Sequence, residues 1–331
     1  MNNLQAYPRQ GMKTKTIKQI IRKKMDEWLA TIEDEELRKD VAGGIIVTGG
    51  CIASMLLGEK VNDFDVYLRS KELASRLAKY YVPKFGAVGE DGRTYVKGNK
   101  GIRCPIWVEE TDERVKIVIK SVGIADDSEK EKEYKYFEGQ PDEQAQGYVA
   151  EVMRDPGDIT EAYEQTEEAA LEDEDKKYRP IFMSTNAITL SNKLQIILRF
   201  FGEPDEIHGN YDFAHCTNYW KSWGEDSLTL RPEALEALLA RELRYVGSKY
   251  PICSIIRMRK FIIRGWRINA GQILKMVMQL SELDLKDPAV LEEQLTGVDV
   301  AYFIQVIERC KEKDPNKINT AYLIEIIDRM F

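Results

Sequence analysis

The chain has few histidines and no closely spaced cysteines. Its 331 residues include two histidines, His208 and His215, and five cysteines with no Cys-x-x-Cys pair among them. Structural zinc sites and disulfide frameworks depend on such residues at short, regular spacing. We therefore expect neither, and we expect each cysteine, including Cys51 beside a glycine pair, to be a small buried hydrophobic residue.

The sequence also has no long apolar run. The longest uncharged stretch, residues 41–58, contains five glycines together with Thr48 and Ser54, which makes it too short and too glycine-rich to cross a membrane. The first residues contain no apolar segment of the kind that a secretory signal requires. We expect a cytoplasmic protein with no membrane partner.

The chain has fewer basic than acidic residues, but its basic residues are concentrated in certain segments. The 48 Lys and Arg are outnumbered by 56 Asp and Glu, and the net charge of −8 argues against a wholly basic nucleic-acid coat. Residues 126–178 hold 19 acidic and 6 basic residues, so the rest of the chain is net positive. Residues 238–275 contain nine Lys or Arg and one acid, Glu242. This segregation indicates a polyanionic partner, although solvated helix faces would give the same pattern.

Hydrophobic periodicity divides the chain into a mixed α/β part followed by helices. A basic helix is predicted at residues 14–33 and a short helix at residues 52–57. The predicted strands are residues 41–47, 62–68, 115–122, 180–190, 193–200 and 210–216. The later predicted helices are residues 232–246, 252–264, 270–283, 288–295, 299–311 and 321–330.

The predicted fold class is α+β, with a head of mixed sheet and helices followed by an all-α C-terminal lobe. The acidic segment has few large aliphatic residues and is predicted to be an insertion in the head. The predicted boundaries are residues 1–33 for the basic N-terminal helix, 34–125 and 179–224 for the head, 126–178 for the acidic insertion and 225–331 for the helical domain.

The most informative segment combines a glycine pair with an aspartate pair. Gly49 and Gly50 end a predicted strand and open a short helix, and Asp63 and Asp65 lie on the next strand. Neither a P-loop (Gly-x-x-x-x-Gly-Lys-Ser/Thr) nor a Gly-x-Gly-x-x-Gly fingerprint occurs here. Because glycines at a helix N-terminus let backbone N–H groups approach an anion, the segment predicts a phosphate-binding turn.

Alternation along the second strand puts the two aspartates on one face. Residues two apart in a strand point the same way, so the apolar members Phe64, Val66 and Leu68 are predicted to enter the core. Asp63 and Asp65 then share the opposite face. Carboxylates are the ligands of hard divalent cations, and two such ions would stabilise both the attacking and the leaving oxygen of a phosphoryl transfer.

Together these features resemble the core motif of the DNA-polymerase-β-type nucleotidyltransferase superfamily, which is Gly-Gly, a helix and then Asp-x-Asp on the next strand. The resemblance implies two Mg²⁺ ions and a third carboxylate from a later, neighbouring strand. Asp212 is the preferred candidate, because it alternates with two aromatic residues on the strand predicted at residues 210–216. Three rivals lie in a turn-like segment just before it: Glu203, Asp205 and Glu206.

Within the superfamily, the chain most resembles CCA-adding enzymes and bacterial poly(A) polymerases. Residues 49–58 resemble their Gly-Gly-x-Val-Arg-Asp-x-Leu-Leu-Gly, with Ala53 and Ser54 in place of Arg-Asp. Residues 256–268 resemble their Leu-Arg-Ala-x-Arg-Phe stretch, with one residue fewer before the following glycine. Their nucleobase-selecting Glu-Asp-x-x-Arg motif is not recognisable. The motifs therefore indicate the superfamily and not CCA addition itself.

The resemblance implies transfer of a nucleoside monophosphate from a nucleoside triphosphate to an acceptor hydroxyl, with release of pyrophosphate. Asp63, Asp65 and Asp212 would hold the two Mg²⁺ ions, and Asp212 would help to deprotonate the acceptor. The triphosphate would be seated by Gly49, Gly50 and Ser54. Cations interleaved with aromatic rings suit a nucleic-acid strand, so four residues are predicted to bind an RNA 3′ end: Arg257, Lys260, Arg264 and Arg267.

Two other function classes stay open. An enzyme with the same head could modify a protein or a small molecule, as an AMP-transferring toxin does, and a non-catalytic binding module could retain the fold. The intact pair Asp63 and Asp65 argues against the binding module. His208 and His215 flank Asp212, where they could contact the triphosphate or the metal site, but a structural role is the expectation for both.

Overall fold

The structure is a computed structural model that describes residues 11–97, 103–121, 132–134, 136–138, 177–224, 227–285, 287, 290 and 294. The fold class is α+β, as predicted. The helices of this part of the chain are α1 (Thr14–Ala30), α2 (Glu35–Ala42), α3 (Gly50–Leu57), α4 (Lys71–Phe85), α5 (Pro204–His208), α6 (Pro232–Ala240), α7 (Pro251–Ile263) and α8 (Ala270–Leu280).

The strands form two sheets. One has eight strands in the order β13-β12-β1-β2-β11-β10-β9-β8, and the other has five in the order β3-β4-β5-β6-β7. The strands are β1 (Ile45–Thr48), β2 (Phe64–Leu68), β3 (Ala87–Val88), β4 (Thr94–Lys97), β5 (Arg103–Thr111), β6 (Arg114–Ser121), β7 (Lys132–Tyr134), β8 (Tyr136–Glu138), β9 (Pro180–Ser184), β10 (Ala187–Leu190), β11 (Leu194–Phe201), β12 (Tyr219–Lys221) and β13 (Leu228–Thr229).

The two strands that carry the sequence motif lie in the middle of the larger sheet. β1 and β2 pair antiparallel, with Thr48 opposite Asp65, whereas β2 and β11 run parallel. Because an antiparallel pair brings the end of one strand to the start of the next, the glycine pair after β1 and the aspartates of β2 meet at one edge of the sheet.

The alternation predicted for β2 is confirmed. Phe64, Val66 and Leu68 enter the main core, which α1 and α4 cover with their apolar faces. Tyr67 lies on the other face of the sheet, in a smaller apolar cluster with Ile46 of β1 and Ile207 of α5. The face that carries Asp65 is therefore separate from the main core.

A third apolar cluster fixes the C-terminal helices to the head. It joins α3 to α6, α7 and α8 and contains Ala53, Phe213, Leu238, Leu243, Tyr245, Trp266 and Met276. Two backbone hydrogen bonds strengthen this junction: the amide of Val246 donates to the Asp212 carbonyl (2.9 Å), and the amide of Ala214 donates to the Arg244 carbonyl (3.0 Å). The segment around Asp212 is thus held between head and helices.

Four predicted elements differ in the structure. The strand predicted at residues 41–47 begins only at Ile45, because Val41 and Ala42 end helix α2. The strand predicted at residues 180–190 is two strands, because the Ser184 hydroxyl accepts from the amide of Ala187 (3.0 Å) and closes a turn between them. The strand predicted at residues 210–216 is a bend followed by a 3₁₀ helix, Ala214–Cys216. The helix predicted at residues 232–246 stops at Ala240, because Arg241 adopts a left-handed conformation (φ 46°).

Some predictions lie wholly or partly outside the described residues. These are the helices at residues 288–295, 299–311 and 321–330 and most of the acidic segment 126–178. The described parts of that acidic segment include β7, which pairs with β6, and β8, which pairs with β9. Among the residues that the structure describes, no helix combines the length and the apolar composition needed to cross a bilayer.

Candidate active site

The site is built around the turn between β1 and α3. Gly49 has a φ of +92° and lies so close to Asp65 that a Cβ at position 49 would come within 2.8 Å of the Asp65 Oδ2 atom. Gly50, the first residue of α3, faces open space instead. No side chain caps the N-terminus of α3, so its backbone N–H groups are available to an anion there.

Asp63 and Asp65 lie next to this turn. Asp65 is the second residue of β2 and is half-buried, whereas Asp63 directly precedes the strand and keeps solvent access. Desolvation raises the pKa of Asp65 well above its ordinary value, and the negative charge of Asp63 raises it further. Desolvation also raises the pKa of Asp63, against the opposing effects of Lys260 and Arg264. Two carboxylates that disfavour each other's charge form a site that a cation would stabilise.

The strands on either side of Asp65 carry neutral side chains at its level. Its partner on β1 is Thr48, and its partner on β11 is Gln195. A third carboxylate on a neighbouring strand is what the superfamily resemblance implies, so the amide of Gln195 is a departure from that pattern. Gln195 is not identifiable from the sequence, since no local signal gives the pairing of β11 with β2.

Asp212, the candidate third metal ligand, is paired with the guanidinium of Arg257. Its Oδ2 accepts a hydrogen bond from Arg257 Nη1 at 2.7 Å, and its side chain is 9% exposed, against 41% for Arg257. Within the described ranges, no three His, Cys, Asp or Glu side chains come together as a possible metal site. The structure thus shows Asp212 paired with Arg257, and its role as a third metal ligand beside Asp63 and Asp65 stays a prediction.

Helix α7 turns a basic face towards the aspartate pair. Arg257, Lys260 and Arg264 are spaced three and four residues apart, a spacing that puts them on one side of a helix. Arg257 and Lys260 both counteract the rise in the pKa of Asp65. Three of the four residues predicted to bind RNA therefore act electrostatically on Asp63 or Asp65.

Arg267 lies apart from this group. Its Nη2 donates to the Ala240 carbonyl at 3.0 Å, and its backbone amide donates to the Arg241 carbonyl at 2.8 Å. Its contacts hold the loop after α7 against the end of α6.

Ser54 lies one turn beyond Gly50 on α3 and is half-buried. Cys51 is buried in the same helix, and its Sγ donates to the Thr48 carbonyl (3.6 Å). Burial and the charges of Asp65 and Asp63 raise the pKa of the Cys51 thiol, which disfavours the thiolate that a nucleophile needs. Cys51 therefore fills the start of α3, as expected from the sequence.

Both histidines have structural surroundings. His208 Nε2 lies 2.8 Å from the Thr48 hydroxyl, and burial lowers the His208 pKa to about 4. His215 is 1% exposed, and its ring packs 4.5 Å from Phe261 and 4.3 Å from Trp266, measured between ring centroids. Burial lowers its pKa to about 4 as well. Neutral rings in packed surroundings are consistent with the structural role expected for both.

A Gly-Gly turn that opens a helix beside Asp-x-Asp on the adjacent strand of a mixed sheet describes a nucleotidyltransferase-like fold. The structure resembles that of a Thermotoga maritima CCA-adding enzyme complexed with tRNA, with a TM-score of 0.37, 14% sequence identity and coverage of 92% of this chain and 55% of the enzyme. It also resembles a Bacillus stearothermophilus CCA-adding enzyme in complex with CTP, with a TM-score of 0.29, 12% identity and coverage of 78% and 46%. The chain spans about half the length of each enzyme.

Sequence comparison gives a more specific family. The model of the Gabija anti-defense 2 (Gad2) family matches residues 19–241. The chain belongs to the Gad2 family. No curated protein sequence matches it.

Proposed function

We propose that this Gad2 family member is a metal-dependent nucleotidyltransferase, which transfers a nucleoside monophosphate from a nucleoside triphosphate to an acceptor hydroxyl and releases pyrophosphate. The observation that carries this proposal is the meeting of three features at one sheet edge. These are the N-terminus of α3, which no side chain caps, the neighbouring carboxylates Asp63 and Asp65, and the cations Arg257, Lys260 and Arg264.

The donor set at this edge fits Mg²⁺. In phosphate-transferring sites Mg²⁺ is commonly held by one or two carboxylates together with waters and substrate phosphates. Asp63 and Asp65 supply two carboxylates whose pKa values are raised in the protein, so a divalent cation would relieve their repulsion. When bound, the metal would act as a Lewis acid that stabilises charge on the transferring phosphoryl group.

The protein groups around the metal would bind and orient the triphosphate. The first N–H groups of α3 have no acceptor within the helix, and a Cβ at Gly50 would meet no atom within 4 Å. Lys260 and Arg264 are exposed and act electrostatically on Asp63. A polyphosphate placed between α3 and α7 would therefore meet backbone donors on one side and cationic side chains on the other.

For the acceptor we propose an RNA 3′ end, as the sequence predicts. Exposed cations on and after α7 support this choice, since the backbone of a single strand requires positive charge along its path. The relevant exposed residues are Arg259, Lys260, Arg264, Arg267 and Lys275.

Membership of the Gad2 family favours a second candidate. The family name denotes an activity against Gabija defense, and an enzyme that counters a defence system could modify one of its components. In this version the acceptor hydroxyl belongs to a Gabija protein, and the nucleotide site is unchanged.

The test incubates the purified full chain with each radiolabelled nucleoside triphosphate and Mg²⁺, adding total RNA, Gabija proteins or nothing. Label in RNA supports the first candidate, and label in a Gabija protein supports the second. The matched control is Asp65→Asn, which should lose transfer to either acceptor. No label with any triphosphate or acceptor, while the wild-type chain remains folded, would contradict the proposed function.

A salt titration separates the two acceptors further. If RNA is bound through phosphate contacts, the logarithm of its affinity should fall by roughly 0.7 per log unit of salt for each contact. Neutralising Lys260 and Arg264 together should flatten this slope. An enzyme that modifies a protein would show no such dependence on RNA contacts.

A further inference from the structure

Asp212 and Arg257 form a pair that the proposed reaction does not yet explain. The guanidinium of Arg257 donates to the Asp212 carboxylate at 2.7 Å, and the carboxylate is almost wholly buried, with 9% of the side chain exposed. Charge-assisted hydrogen bonds of this length are among the stronger ones in proteins. The carboxylate is therefore committed to a protein cation.

Asp212 lies outside the pair formed by Asp63 and Asp65. It lies in a bend before the 3₁₀ helix Ala214–Cys216, and no strand brings it into register with Asp65. Its backbone carbonyl is fixed by the amide of Val246 at 2.9 Å. In the part of the chain that the structure describes, it joins no group of three potential metal ligands.

Arg257, by contrast, interacts with the carboxylates of both Asp212 and Asp65. It is bonded to Asp212 and also acts on Asp65, whose negative charge it stabilises. Its side chain is 41% exposed, and Lys260 follows it by one turn on the same face of α7. A guanidinium has five N–H donors in a planar fork that matches phosphate oxygens, so a carboxylate and a phosphate can share it.

We infer that Asp212 is a positioning residue that aims Arg257 at the phosphates of the bound triphosphate, and that it is not a metal ligand. This inference rests on the proposed function, because it assumes a polyphosphate at the edge formed by α3, β2 and α7. The metal would be held on the protein side by Asp63 and Asp65 alone. Arg257 would neutralise phosphate charge from the opposite side.

The test measures metal and polyphosphate binding separately by calorimetry on the full chain. Mn²⁺ is titrated alone, and inorganic tripolyphosphate is titrated in the presence of Mg²⁺. Asp212→Asn should bind Mn²⁺ within about twofold of wild type, while Asp65→Asn should lose that binding. Loss of one charged hydrogen bond should weaken tripolyphosphate binding by about tenfold in both Asp212→Asn and Arg257→Gln.

The double variant identifies how Asp212 acts. If Asp212 works only through Arg257, adding Asp212→Asn to Arg257→Gln should weaken tripolyphosphate binding no further. Arg93→Gln is the matched control, because it removes an exposed arginine between β3 and β4, in the other sheet, and should bind as wild type does. Circular dichroism verifies that each variant is folded.

Three results would overturn the inference. Loss of Mn²⁺ binding in Asp212→Asn would make Asp212 a metal ligand, and a full additional effect in the double variant would mean that it acts without Arg257. If Asp212→Asn does not fold, Arg257→Gln and Arg257→Lys test the inference instead. Wild-type affinity for tripolyphosphate in both of these variants would refute the role of the guanidinium. A wild-type chain that binds neither Mn²⁺ nor tripolyphosphate would refute the proposed function itself.

Discussion

Gly49 packs directly against the carboxylate of Asp65. The nearest approach, 2.8 Å between a Cβ built at position 49 and Asp65 Oδ2, leaves no room for a side chain. The backbone of Gly49 (φ +92°, ψ −151°) also lies in a region that glycine alone occupies readily. Both constraints tie the position of the glycine turn to the position of a candidate metal ligand.

Gly49→Ala should therefore damage the cation site. The substitution introduces backbone strain and displaces Asp65, and it should lower the free energy of unfolding by about 1–3 kcal/mol. Mn²⁺ affinity should fall at least tenfold, as measured by calorimetry. Gly50→Ala is the matched control for stability, because a Cβ there meets no atom within 4 Å. Equal stability of the two variants would contradict the importance of this contact.

Asp65→Asn should greatly slow transfer and yet stabilise the metal-free protein. Metal ions supply several kcal/mol of transition-state stabilisation, so the turnover rate should fall by roughly a thousandfold. Because the folded protein raises the Asp65 pKa, the ionised carboxylate destabilises the fold as pH rises through that value. At neutral pH without divalent ions, the melting temperature of Asp65→Asn should exceed that of wild type.

The control for this effect is Asp112→Asn, which removes an exposed carboxylate and should leave the melting temperature unchanged. Addition of Mg²⁺ should raise the melting temperature of wild type and of Asp112→Asn, but not that of Asp65→Asn. A lower melting temperature for metal-free Asp65→Asn would contradict the proposed repulsion between Asp63 and Asp65.

Local signals in the sequence correctly predict the order of the secondary-structure elements around the candidate site. The glycine pair at a helix start and the alternation of Phe64, Val66 and Leu68 depend on neighbouring residues only, and the structure has β1, α3 and β2 in the predicted order. Helix α2 escapes prediction because its last residues, Val41 and Ala42, begin the apolar run that predicts a strand at residues 41–47. Asp34 caps this helix by accepting a hydrogen bond from the Leu37 amide (2.9 Å).

Non-local pairing is what the sequence does not reveal. Gln195 reaches the level of Asp65 only because β11 pairs with β2, and strands so distant in sequence have no readable register. The alternation around Asp212 suggests a strand, but Phe213 instead enters the cluster formed with α6, α7 and α8. That packing bends the chain there, and Arg257 then becomes the partner of Asp212.

Thr48 should contribute to stability through its hydroxyl. Its side chain is fully buried, donates to the Asn218 carbonyl at 2.9 Å and lies 2.8 Å from His208 Nε2. Thr48→Val keeps the shape but leaves the buried acceptor unsatisfied, which should lower the free energy of unfolding by about 1–3 kcal/mol. Thr48→Ser retains the hydroxyl and should lose less. Urea denaturation compares the variants, and an equal loss in both would assign the effect to packing alone.

Acid should destabilise the protein through its buried histidines. The ordinary histidine pKa of 6.5 is lowered to about 4 at His215, so the unfolded chain binds more protons than the folded one between these values. Stability therefore falls as pH decreases from 6.5 towards 4 and is fully present above 6.5. His215→Phe keeps an aromatic ring between Phe261 and Trp266 and should remove part of this slope. Each pKa unit corresponds to about 1.4 kcal/mol.

The measurement is urea denaturation at a series of pH values between 7 and 4, for wild type and His215→Phe. Asp63 and Asp65 titrate with raised pKa values and act in the opposite direction, since protonation relieves their repulsion. Both proteins are therefore compared in the Asp65→Asn background as well, where this contribution is reduced. In that background, the free energy of unfolding could depend on pH in the same way with and without His215. This result would mean that the His215 ring is already protonated or solvated in the folded state. Its packing against Phe261 and Trp266 would then not exclude the charge.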